Sequence, residues 1–67
     1  MDVLNVIYPN GVSQTFKTDE FIQCGNELEH KKLNIILNLS EPHKSFIYEM
    51  DFRGEIIHKD NLLFNIV

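Results

Sequence analysis

The chain has 67 residues, room for one domain, and a domain this small buries only about 60% of the surface its unfolded chain exposes. One cysteine excludes an internal disulfide, and no stretch approaches the roughly 18 apolar residues of a membrane helix. Ten acidic against six basic residues give a net charge of −4, which argues against broad nucleic-acid binding, so stability must come from close packing or association.

Apolar residues recur with a period of two over most of the chain, the signature of strands. "DVLNVIY" (2–8) reads as a first strand, and Asn10-Gly11 supplies a tight-hairpin dipeptide. "VSQTFK" (12–17) returns with Val12, Gln14 and Phe16 on one face. "TDEFIQ" (18–23) is the one segment with helical character, one or two turns at most, too short to support itself. "FIQCGNELEHKK" (21–32) then reads as a polar loop.

"LNIILNL" (33–39) places Leu33, Ile35, Leu37 and Leu39 on one face, with Asn34, Ile36 and Asn38 on the other. After "SEPHK", "SFIYEMDF" (45–52) alternates Phe46, Tyr48, Met50 and Phe52 against Ser45, Ile47, Glu49 and Asp51, with Phe46 expected in the core beside Leu37. "EIIHK" is a fifth strand and "NLLFNIV" closes the chain. A three-residue loop Phe52-Arg53-Gly54 pairs Met50 with Ile56 and Tyr48 with His58. A two-residue loop instead pairs Met50 with Ile57 and Glu49 with His58, exchanging the faces of Ile56 and Ile57. The three-residue form, with Gly54 left-handed, is the expected one. The fold class is mainly β: a small antiparallel meander or open barrel of five to six short strands, with a short helical turn near residues 18–23.

Chemistry-bearing residues are sparse. Cys24 lies near Glu27 and Glu29, which disfavour a thiolate, and nothing in the spacing brings His30 to it as a base. Cys24, His30, His43 and His58 each stand alone in their segments, without the paired spacing of a metal site. Strand direction puts His43 and His58 at one end of the sheet and His30 at the other. Glu49, Asp51 and Glu55 gather around Arg53 at an exposed turn, which fits a solvated hairpin end better than an acid–base pair. No Gly-rich phosphate loop occurs. No catalytic residue, cofactor or metal is expected.

Two features point to binding. His43-Lys44 and His58-Lys59 should meet at one end of the sheet, a small basic patch that Glu41 and Asp60 partly cancel; with the aromatic residues it suggests a nucleic-acid-binding β-barrel. The second face also carries Val3, Ile7, Ile36, Ile47, Ile57, Leu63 and Val67, more apolar surface than a solvated face should hold. Either the sheet curls over it or a partner covers it. Ile36, Ile47, Asn34, Asn38 and Glu49 are accordingly the candidate interface.

The leading expectation is a non-enzymatic protein-binding module, cytoplasmic, acidic and homodimeric, acting by occupying another protein's surface. An inhibitor, antitoxin-like or phage accessory protein would look like this. The nucleic-acid-binding barrel is the alternative, and an enzyme of unknown class comes third.

Overall fold

The computed structural model describes residues 2–66. Within them the chain is mainly β, with two short 3₁₀ turns and no α-helix. Its strands are β1 (Val3–Ile7), β2 (Ser13–Lys17), β3 (Phe21–Cys24), β4 (Glu27–His30), β5 (Ile35–Asn38), β6 (Phe46–Met50), β7 (Ile56–Asn61) and β8 (Leu63–Ile66). They form two antiparallel sheets, a three-stranded one in the order β2-β1-β8 and a five-stranded meander β3-β4-β5-β6-β7. No barrel closes.

The first hairpin turns at Asn10-Gly11, as expected. Tyr8 N–H donates to the Val12 carbonyl (2.8 Å) and Gly11 N–H to the Tyr8 carbonyl (2.9 Å). Only Gly11 of the pair takes a positive φ, +86°. Leu4 lies opposite Phe16 and both are buried, whereas Val12 precedes the strand and is exposed.

Residues 18–23 divide. Thr18–Glu20 make a 3₁₀ turn, held by the Glu20 carboxylate accepting the Lys17 N–H at 2.8 Å. Phe21–Cys24 are a strand. The segment 21–32 is therefore largely a hairpin rather than a polar loop: β3 and β4 pair from Phe21–His30 to Cys24–Glu27. The cross-strand partners outweigh the polar composition that suggested a loop.

The central correction concerns β6. Ile35 pairs with Ile47 and Ile36 with Phe46, so Ile47 packs against the core while Phe46 turns outward. Ser45 sets this register. Completely buried, it accepts the Asn38 N–H on its hydroxyl (2.9 Å) and the Leu62 N–H on its carbonyl (2.9 Å), tying β5, β6 and the β7–β8 corner together. Leu33 consequently lies exposed before β5, and Leu39 is half-buried after it.

The β6–β7 loop is the expected three-residue one, with Gly54 at φ +84° and Asp51 N–H donating to the Glu55 carbonyl. Met50 pairs with Ile56. A bulge then absorbs Ile57, so Glu49 pairs with His58 and Tyr48 with Lys59. Each expected register holds on one side of the bulge.

The chain turns at Leu62, and β8 pairs with β1. The three-stranded sheet thereby covers the inner face of the meander. Leu4, Val6 and Phe16 from one sheet meet Phe21, Ile35 and Leu37 from the other, with Leu62 at the corner. Part of the apolar excess is thus hidden by a second layer of the same chain. Val67 lies outside the described residues.

Candidate functional site

Cross-strand partners share a face of a sheet, so the register defines what the meander presents outward. One row across it runs Ile22-Glu29-Ile36-Phe46-Asn61, from β3 and β4 to β7. Next along the strands come Tyr48 with Lys59, then Met50 with Ile56. Ile22 is 53% exposed, and Ile36, Phe46 and Tyr48 are half-buried. The Phe46 and Tyr48 rings lie 5.8 Å apart, and the Lys59 ammonium stands 4.6 Å over the Phe46 ring. Among the described residues, no second sheet is laid over this face as one is over the inner face. At its end an open cleft of about 280 Å³ is bordered by Ile22, Leu33, Asn34 and Tyr48.

The candidate interface residues are therefore dispersed. Ile36 is on the outer face. Ile47 is directed inward. Asn34 fixes the β4–β5 connection by accepting the Tyr48 N–H on its carbonyl (3.0 Å). Asn38 caps the turn after β5, its side-chain oxygen accepting the Ser40 N–H and hydroxyl and the Glu41 N–H at 2.9–3.1 Å. Glu49 is exposed opposite His58. Phe46 and Tyr48, expected on the core face, are the aromatic residues of this outer face; the alternation of residues 45–52 carries no signal for that, because their other face is Ser45, Ile47, Glu49 and Asp51.

The basic patch is also dispersed. Asn61 reaches the His43 carbonyl (3.3 Å), but His58 and Lys59 lie two to three residues further along β7 and on opposite faces. Lys44 pairs with Glu41 (3.0 Å) and His58 with Asp60 (3.0 Å), the cancellation expected of those acids.

Cys24 is exposed at the hairpin end, and three strand residues, about 10 Å, separate the Cys24–Glu27 pair from the Phe21–His30 pair. Cys24 and His30 also point to opposite faces, so they form no nucleophile–base pair. His30 meets Glu20 instead, with Nε2 3.3 Å from Oε1, while Nδ1 accepts the Lys32 and Leu33 N–H groups at 3.0 and 2.9 Å. Both ring nitrogens are occupied within the chain, leaving neither free for a substrate in this conformation. The Glu20 carboxyl is held below its ordinary range chiefly by the Lys17 N–H.

At the β6–β7 tip Asp51 accepts the Glu55 and Arg53 N–H groups (3.0 and 2.9 Å) and pairs with the Arg53 guanidinium (3.0 Å), which also reaches Glu55 (3.3 Å). These bonds, the Glu55 N–H first, lower the Asp51 pKa. The acids here organise a turn. Among the described residues no group of three or more histidines, cysteines or acids is placed to hold a metal ion, and no helix is long and apolar enough to cross a membrane.

No family model, curated protein or solved structure matches this chain.

Proposed function

We propose that the chain is a non-enzymatic binding module whose outer meander face docks on another protein surface, a second copy of itself in the first instance. The observation that carries this reading is the apolar group Ile36 and Phe46 in one row, with Tyr48 and Met50 beside it and Ile22 beyond Glu29, half-buried or exposed on the outer face while the inner face carries the buried core. Soluble domains seldom expose such surface without a partner.

The charges fit a two-fold pairing. Glu29 stands on β4 and Lys59 on β7, flanking the aromatic centre. An axis parallel to the strands, between β5 and β6, lays β4 of one copy over β7 of the other and brings these opposite charges near one another twice. Isologous contacts of this kind are the commonest route to a dimer. Burying about 400 Å² of apolar surface yields roughly 10 kcal/mol. An association cost of about 4 kcal/mol, the lower end of the range, leaves about 6 kcal/mol, a dimer of tens of micromolar.

Ile22→Lys and Ile36→Lys test this. Each should abolish association while leaving the circular-dichroism spectrum and melting curve of the subunit intact. Ile47→Lys is unsuitable because that side chain faces the core. Association that survives both substitutions would refute the assignment. The Phe46–Tyr48–Lys59 cluster supports the alternative reading, stacking of a single-stranded nucleic acid. Retention of an oligonucleotide by the wild type, lost on Phe46→Ala, would favour it.

A further inference from the structure

We infer that His30 is a pH-responsive clasp on the β4–β5 connection, residues 31–34: the singly protonated ring holds that segment closed, and the imidazolium form requires it to open.

The His30 side chain is 4% exposed and clusters edge-to-face with Phe16 (centroids 5.1 Å apart) and Phe21 (5.0 Å), whose own rings are 5.7 Å apart. Nδ1 accepts two backbone N–H groups from the connection, Lys32 at 3.0 Å and Leu33 at 2.9 Å. An imidazole nitrogen accepts through one in-plane lone pair, so Nδ1 carries no proton here. The ring proton is therefore on Nε2 and is donated to Glu20 Oε1 at 3.3 Å. A second proton can add only at Nδ1, where it would point at the two N–H donors already there. Protonation thus replaces two favourable contacts by donor–donor repulsion.

Charged groups of both signs surround the ring. Glu20 and Asp19 on the 3₁₀ turn and Lys31 and Lys32 on the connection line one open cleft of about 330 Å³ with it. Glu29 and Tyr48 border the second cleft touching His30. The Glu20 contact survives protonation, since Nε2 keeps its proton. The Lys32 and Leu33 contacts do not, so the response is directed at the connection. That segment is anchored at its ends, where Lys31 N–H donates to the Glu20 carbonyl (2.9 Å) and the Asn34 carbonyl accepts from Tyr48. Lys32 and Leu33 swing between these anchors, and Leu33 borders the rim of the outer face. The clasp stands on the His30 geometry alone, whatever that face binds.

The test uses the isotope-labelled wild-type chain, taken between about pH 7.5 and 5. Long-range proton–nitrogen correlation should show the Nε2–H tautomer for His30 at the upper end. As His30 gains its second proton, hydrogen-exchange protection at Lys32 and Leu33, corrected for intrinsic pH dependence, should fall about ten-fold or more, with Ile35 and Leu37 unchanged. An Nδ1–H tautomer at neutral pH would overturn the inference. So would protonation of His30 with Lys32 and Leu33 still protected, or uptake of the proton only on global unfolding.

Discussion

Replacing Leu37, Ile47 and Phe46 by alanine, one at a time, separates the two faces of the meander. Leu37 is completely buried in the shared core. Removing most of a fully enclosed leucine side chain costs about 2–5 kcal/mol, combining lost transfer energy with the cavity left behind. A domain of this length has about 3–10 kcal/mol to lose, so Leu37→Ala should be at the edge of unfolding. Ile47 is only partly buried against the same core and should cost less, about 1–3 kcal/mol. Phe46 is half-buried on the outside, where its ring meets Tyr48 and the Lys59 ammonium, and its loss should cost about 1 kcal/mol. Urea unfolding followed by circular dichroism resolves the three, with a slope near 1 kcal/mol per M for so small a domain. The protein must be dilute enough for association to contribute nothing. A Phe46→Ala cost equal to that of Leu37→Ala, with Ile47→Ala neutral, would show that β6 presents its other face to the core.

Ser45→Ala should destabilise by about 1–3 kcal/mol in the same assay, because the Asn38 N–H loses its acceptor in a closed site; an unchanged midpoint would remove Ser45 as the register-setting residue. Glu20 and Asp51 are held below their ordinary carboxylate range, so each binds a proton more weakly folded than unfolded. Their stabilisation is complete above that range and is lost as the pH falls through it, below about pH 4. Glu20→Gln and Asp51→Asn should each flatten the acid limb of the stability curve, and an acid limb identical to that of the wild type would contradict the assignment. Cys24→Ser should leave stability and association within about 0.5 kcal/mol of the original, as exposed substitutions do; loss of function with the fold intact would return Cys24 to consideration.

The local features of this fold were legible in the sequence. Asn10-Gly11 and Gly54 mark turns through backbone conformation, and period-two alternation places strands where partners exist to pair. Long-range choices were not. Residues 45–52 carry Phe46, Tyr48, Met50 and Phe52 on the face that ends outside and only Ile47 as an apolar residue on the other, so periodicity favours Phe46 as core; a buried hydroxyl decides otherwise. Leu62 and Leu63 are equivalent as sequence, yet one is the buried corner and the other is exposed, because β8 leaves the meander to pair with β1. His30 was visible only as a lone histidine. Its clasp depends on Glu20, ten residues away, and on two backbone amides, which no side-chain pattern encodes. The apolar excess was legible as an amount. Its division between a second layer of the same chain and a bare outer face required the topology.

Whether the outer meander face is an interaction surface satisfied first by a second copy is read from light scattering over a dilution series of the wild type. Between about 10 and 300 μM the weight-average mass should climb from near the 7.9 kDa of one chain toward twice that value, and Ile36→Lys should hold it at the lower limit. A wild-type mass of 7.9 kDa across the whole series would contradict it.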